Sequence, residues 1–276
     1  MLTSLVLSLA TERSQTLPPH LGRASHALLL RLIRAVDPAL AEALHAPDRP
    51  RPFTCSTLWG ARRRGGMLHL EPGATYNLRF TGLTGEVSAH LKALAEEPPE
   101  MVELDNVGLR LASATLDPKE HPWAGSTTYE ALSAPYLLAR KPPASRAEIE
   151  FVALTAFRSS GRTVPLPLPE LVYGGLATRW NHFAPVSISE EMRRYAEECL
   201  AISRYRLKTV TIKAKDRSVQ IGFVGHCRYT ALNRDRYWLG LIQMLTDYIF
   251  YAGVGYQTAT GLGQARRAVK RDADAR

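Results

Sequence analysis

The order strand–helix–strand–strand–helix–strand, read twice along this sequence, predicts an α+β fold of two tandem ferredoxin-like (RRM-like) βαββαβ domains, with a C-terminal Gly-rich loop in the second. Three observations carry the prediction. Apolar residues at three- and four-residue steps (Leu28, Leu29, Leu32, Ile33, Val36, Leu40, Leu44) alternate along the chain with shorter β-branched and Leu-rich runs. The 276 residues are too many for one small domain and suit one large or two compact ones. Apolar residues at 45% against 22% charged can build real cores, which excludes disorder by composition.

Taken in order, residues 2–10 read as a strand and 11–22, with Pro18 and Pro19, as a loop. Residues 24–44 have helix spacing, broken at Asp37-Pro38, where a second short helix is capped. A Pro-rich basic loop spans 45–51, a strand 52–59, and a basic turn 61–66 (ARRRGG). Residues 75–81 alternate as a strand, 85–97 form a helix stopped by Pro98-Pro99, and 101–116 are extended. This gives a first domain over 1–125 and a connecting segment over 126–145, where Pro135, Pro142 and Pro143 fall. In the second domain, 146–276, strands are expected at 147–157, 204–215, 218–232 and 264–269. Helices are expected at 169–180, 190–200 and 236–251.

The net charge of +9 favours a polyanionic partner, nucleic acid before a membrane surface. Three scattered cysteines, Cys55, Cys199 and Cys227, indicate neither a disulfide framework nor a zinc site and suit a reducing cytoplasm. The amino-terminal apolar run is short and lacks a preceding basic residue, so no signal peptide is expected, and no stretch has the length of a membrane span.

Residues 253–263 hold four glycines, Gly253, Gly255, Gly261 and Gly263. A dinucleotide fingerprint fails here: Thr258 stands where its third glycine is needed, and the helix precedes rather than follows. A P-loop fails because Leu262 follows Gly261. A nucleotide-cofactor enzyme is therefore disfavoured, and no cofactor is expected. What remains is a loop with polar Gln257, Thr258 and Thr260, followed by Arg266 and Arg267, chemistry that suits a phosphodiester backbone.

The run GVGYQTATGLGQ (253–264) resembles the C-terminal glycine motif of the RAMP superfamily, the RNA-binding ferredoxin-fold proteins of CRISPR systems. Three further stretches resemble one family within it, the CRISPR repeat-processing endoribonucleases, the sixth numbered Cas family. They are LHAPDRPRPFTCSTLW (44–59), VPLPLPELVYGGLATRWNHFAP (164–185) and VQIGFVGHCRYTAL (219–232), in the expected order and spanning nearly the whole chain. The resemblance implies metal-independent cleavage of CRISPR precursor RNA within its repeats, leaving 2′,3′-cyclic phosphate and 5′-hydroxyl ends. It implies repeat RNA as partner, with a CRISPR effector complex beside it, and a monomer or homodimer with no membrane. A non-catalytic RNA-binding subunit of such a complex is the alternative reading.

Such cleavage needs a base for the 2′-hydroxyl, an acid for the departing 5′-oxygen and a cation for the phosphorane. Of eight histidines, His45 is the first candidate, because it opens a loop holding Arg49 and Arg51. In the resembled family a histidine at the end of this helix is catalytic in some members. A lysine six residues on assists, and that spacing falls on Arg51. The family's third position falls near Leu30, which can serve as neither acid nor base. His26, one turn before Leu30, is the reserve catalyst. His20 reads as a solvent-facing loop residue, His182 as structural or an RNA contact, and His226 as a residue facing solvent. No histidine spacing suggests a metal. Arg204, Arg206 and Lys208 share one strand face, and Lys213 and Lys215 another after a phase change near Thr209, giving rows that could track phosphates. Arg62-Arg63-Arg64 is a second such candidate.

Overall fold

The computed structural model describes residues 1–46, 50–138, 140–213 and 219–269. The first half contains β1 (Leu2–Ala10), β2 (Gln15–Leu17), α1 (Gly22–Val36), α2 (Pro38–His45), β3 (Phe53–Cys55), β4 (Arg62–Arg64), β5 (Met67–Leu70), β6 (Tyr76–Gly82), α3 (Gly85–Glu96), β7 (Met101–Leu104), β8 (Val107–Thr115), β9 (Gly125–Thr127) and α4 (Tyr129–Leu137). The second contains β10 (Arg146–Thr155), β11 (Phe157–Ser159), β12 (Arg162–Val164), α5 (Pro169–Phe183), α6 (Met192–Cys199), β13 (Leu200–Lys213), β14 (Val219–Ala231), α7 (Arg236–Ala252) and β15 (Ala265–Arg267), with a 3-10 turn at Thr258–Thr260.

The two main sheets share one topology. The first runs β3-β6-β1-β8-β7 and the second β13-β14-β10-β15, so each places its first strand beside its third, with a later strand on the other side. Alternation sets the faces. In β1, Leu5, Leu7 and Leu9 bury against α1 and α3 with Leu78 and Phe80 of β6. The opposite face of that sheet, with Ser4, Val6 and Arg79, turns toward the second domain. In the second sheet Ile149, Phe151, Phe223, Cys227 and Tyr229 bury with α5 and α7.

Local chemistry fixes the element ends. The Asp37 side chain accepts from the Leu40 amide at 2.9 Å, and Pro38 opens α2. Thr84, Thr128 and Asp235 cap α3, α4 and α7 in the same way. Two-residue turns with both central residues at positive φ close three hairpins, at Gly65-Gly66, Asp105-Asn106 and Ser160-Gly161.

Four sequence expectations change. The basic turn 61–66 is instead strand β4 plus its hairpin turn, part of a small sheet β2-β5-β4. The loop 11–22 contains β2. The segment 126–145 contains the end of β9, which pairs with β1, and α4, which packs on α7. Finally, β13 keeps one register from Arg204 to Lys213, so the expected phase change at Thr209 is absent; the shift lies earlier, between Ile202 and Arg204. No helix among the described residues is long and apolar enough to cross a membrane.

One side chain fastens the domains from inside. Arg79 of β6 is fully buried. It donates to Ser4 Oγ at 2.8 Å, to the Trp123 carbonyl at 3.1 Å, to Gln264 Oε1 at 2.7 Å and to the Phe250 carbonyl near the end of α7. Its guanidinium lies over the rings of Trp123 and Phe250. Burial pushes its pKa down to about 9, which leaves it cationic at neutral pH.

Candidate active site at the domain junction

The Gly-rich segment leaves α7 at Gly253 and wedges between the domains. Val254 donates to the Gly263 carbonyl and Gly263 to the Leu154 carbonyl, so the two ends zip together and onto β10. Tyr256 likewise donates to the Ala156 carbonyl just past β10, and on the far side Gly261 donates to the Cys55 carbonyl of β3. The glycines are required by closeness. At Gly263, with φ +64, a Cβ would lie 2.0 Å from the Val254 carbonyl oxygen. The first domain reciprocates at Gly22, where a Cβ would lie 1.8 Å from the Thr260 oxygen.

Gly253, Gly255, Gly261 and Gly263 all sit where a Cβ would crowd neighbouring atoms. The amides of Gly253, Gly261 and Gly263 are spent on the carbonyls of Ile249, Cys55 and Leu154. The glycines seat the loop; they do not present a row of open donors. Thr258 is buried, and its hydroxyl accepts from Arg179 at 2.6 Å. Gln257 is exposed at the rim, with left-handed backbone, and accepts from Gln220 at 2.7 Å. Thr260 is half-buried beside it.

Two histidines of the first domain dock on this loop. His26 Nδ1 lies 3.0 Å from the Ala259 carbonyl oxygen and His20 Nε2 3.2 Å from that of Thr260. A carbonyl can only accept, so each of these nitrogens is the donor. In neutral His26 the proton therefore sits on Nδ1, and Nε2 carries the free lone pair. The ring packs on Phe53, centroids 5.3 Å apart. Burial lowers the His26 pKa below its ordinary value; the charges of Arg51 and His45 lower it further, while the Ala259 hydrogen bond opposes them. His20 is lowered too, by burial first and then by Arg63 and Arg23, against its Thr260 bond. It is a docked residue, not the solvent-facing one expected.

His45 is the last residue of α2 and is exposed. Arg51 folds back on that helix end, donating to the carbonyls of Leu44, His45 and Ala46. Its guanidinium thus holds the His45 backbone and places a cation beside His26. Arg49 lies outside the described residues. Leu30 is core, 8% exposed in the packing under α1. Arg179 of α5 ties the parts together, donating to Thr258 and to the carbonyls of Arg51 (3.0 Å) and Phe53 (3.3 Å). Beside the loop opens a cavity of about 460 Å³ lined by Arg51, Arg158, Arg179, His182 and Arg193. Among the described residues no group of three His, Cys, Asp or Glu converges to hold a metal.

The remaining predicted residues lie away from this junction. Arg267 pairs with Asp247 and also reaches Gln243 and Tyr136. Arg266 pairs with Glu150 at 2.8 Å and lies over Trp123. These two arginines staple β15 to the fold. Arg204, Arg206 and Lys208 are exposed on the helix-free face of the second sheet. His226 on that face stands 3.8 Å from Glu150, and Arg228 pairs with Glu148. Lys213 ends β13, and Lys215 lies outside the described residues. Sequence reasoning missed Arg79 and the tying role of Arg179; the only signal for the latter was its place in the Arg-Trp-Asn end of the central motif.

Family models for the Cas6 N-terminal domain and for the CRISPR-associated endoribonuclease Cas6 match residues 1–134 and 149–265. A comparison with curated protein sequences gives no match. The chain is similar to a product complex of Thermus thermophilus Cas6 (TTHB231), with TM-score 0.79 and 28% identity over 97% of this chain and 100% of that one. It is also similar to a Cas6 (TTHA0078) product complex, with TM-score 0.76 and 26% identity over 97% and 99%. A Cas6-related protein of Pyrococcus furiosus shares the fold at TM-score 0.62 and 11% identity, over 98% and 100%. With the two domain models matching in order across most of its length, the chain belongs to the Cas6 family of CRISPR-associated endoribonucleases.

Proposed function

We propose that this CRISPR RNA-processing endoribonuclease cuts precursor RNA within its repeats without a metal, in the cytoplasm, by attack of a 2′-hydroxyl on the adjacent phosphate. Similar proteins were solved as product and substrate-mimic complexes. The observation that carries the mechanism is the His26 ring, held with Nδ1–H on Ala259 and its Nε2 lone pair free, beside Arg51 and His45. His26 Nε2 takes the 2′-hydroxyl proton as the 2′-oxygen bonds to phosphorus. His45 gives a proton to the 5′-oxygen as the P–O5′ bond breaks. The products are a 2′,3′-cyclic phosphate and a 5′-hydroxyl, and no water is consumed. Arg51 supplies positive charge near the phosphorane and holds the His45 backbone. Gln257 and Thr260, at the rim of the loop, hold RNA backbone, and Arg204, Arg206 and Lys208 extend the contact. The trimmed RNA then passes to an effector complex.

Incubation with repeat RNA in EDTA tests the reading, with the new ends identified by mass spectrometry. Cleavage to a cyclic phosphate is expected. Cleavage only after magnesium is restored would sink the metal-free mechanism. Tight binding with no cleavage in either condition would favour the non-catalytic reading, to which the buried Leu30 in place of a titratable side chain lends support.

A further inference from the structure

Outside the junction, the strands of the small sheet β2-β5-β4 hold three arginines and no acidic residue. Its strands read QTL, MLHL and RRR. Register sorts the arginines by face. Arg63 pairs with buried Leu68 and so starts on the inner side, while Arg62 pairs with His69 and Arg64 with Met67 on the solvent side. Thr16 of β2 pairs with His69 and continues that row. The nearest acid in sequence, Glu71, follows β5 and is engaged by the Ser14 hydroxyl at 2.6 Å. All three arginines are exposed.

The sheet also leads somewhere. Arg63 reaches round to donate to the Pro19 carbonyl at 2.6 Å, next to His20, which touches Thr260 of the Gly-rich loop. Exposed Arg23, in the first turn of α1, adds a further cation beside His20. A path thus runs from the β4 edge past the Arg63 and Arg23 cations and the docked His20 ring to the junction where His26 docks. Side chains two apart on a strand point the same way about 6.7 Å from each other. That spacing lets Arg62 and Arg64 meet successive phosphates of an extended single strand, with Arg forks well matched to phosphate.

We propose that the solvent face of β4, with Arg62 and Arg64, is a phosphate rail for a single-stranded stretch of the RNA that flanks the cleaved segment. The proposal rests on the RNA-cleaving reading above. The competing explanation is edge protection. β4 is the open edge of its sheet, and charge on an edge strand blocks pairing with another chain.

Charge reversal separates the two, because Arg62→Glu/Arg64→Glu keeps a charged edge but repels phosphate. Affinity for untrimmed repeat RNA is measured across a salt series, beside RNA trimmed at each end to the shortest piece still retained. The double reversal should weaken binding of untrimmed RNA at least tenfold. It should also flatten the slope of log K against log salt by about 1.4, two single-strand phosphates at roughly 0.7 each. Binding of the trimmed RNA should match wild type, and Arg62→Lys/Arg64→Lys should restore most of the loss. Wild-type affinity and slope for the double reversal on untrimmed RNA would overturn the rail, as would an equal loss on trimmed RNA. Failure of the wild-type protein to retain repeat RNA at all would instead overturn the RNA-cleaving reading, and the rail with it.

Discussion

The domains meet along two seams of opposite character. At one, Arg79 is sealed from solvent, and every acceptor it meets is neutral: a hydroxyl, an amide and two carbonyls. At the other, His20 and His26 dock on the carbonyls of the Gly-rich loop beside an open cavity. The sealed seam does no chemistry, yet it fixes the angle between the sheets, because a cation that leaves those acceptors leaves them buried and unpaired. The open seam can then keep its groups part-exposed and still in register.

The sharpest way to break this contrast is to remove the chemistry and leave the fold. His26→Ala should lower single-turnover cleavage by about 10²–10⁴-fold, up to about 5 kcal/mol of barrier. The thermal midpoint should move little, since the ring is only half-buried. An unchanged rate would transfer the base role to His45, and His45→Ala, measured in parallel, would then carry the loss.

The converse change should unseat the sealed seam. Arg79→Met keeps much of the packing against Trp123 and Phe250 but strands Gln264 Oε1 and the Phe250 carbonyl. A loss of about 3 kcal/mol is expected. For a chain of this size that corresponds to roughly 6–12 °C in melting temperature. A midpoint within about a degree of wild type would mean that the seam is held by its apolar contacts instead.

A third variant tests whether the two seams are mechanically linked. Gly22→Ala sets a methyl 1.8 Å from the Thr260 oxygen, so α1 and the loop must part. Overpacking of this kind costs about 1–3 kcal/mol. Displacing the loop moves Ala259 from His26, so cleavage should fall about tenfold, with RNA affinity less affected. Wild-type cleavage in this variant would show that the loop shifts without carrying the histidine.

The difference between the seams also explains what the sequence made legible. Helix spacing in 24–44, the Asp37-Pro38 cap and the order of both domains are local signals, and the structure carries them. Arg79 could not be read, because the alternation of Tyr76–Gly82 assigns it a solvent face that only the second domain covers. His20 was misread for the same reason: a Pro-flanked loop looks exposed until the Gly-rich segment, 240 residues on, docks against it. Arg62-Arg63-Arg64 lost its strand because arginine carries no β signal, and only Gly65-Gly66 marks the hairpin. The Gly-rich segment was found by composition, but its glycines answer to neighbours that composition does not name.

The smallest effect concerns the charge beside His26. Burial is the first cause of its lowered pKa, and Arg51 adds to it by disfavouring the imidazolium. A base acts when deprotonated, so kcat/KM should rise with pH along an acid limb whose midpoint lies below 6.5, the ordinary histidine value. Removing the Arg51 charge takes away one cause that lowers this pKa, so in Arg51→Met the limb should move up toward 6.5. Arg51 also caps α2, and that loss alone could slow cleavage. A structural loss lowers the whole profile, however, and leaves its midpoint in place. Arg51→Lys separates the two, because it keeps the charge and gives up the forked contact with three carbonyls. The expected pattern is a lower profile with the wild-type midpoint for Arg51→Lys, and a lower profile with a raised midpoint for Arg51→Met. Identical midpoints in all three proteins would mean that the proton taken in the rate-determining step does not go to His26.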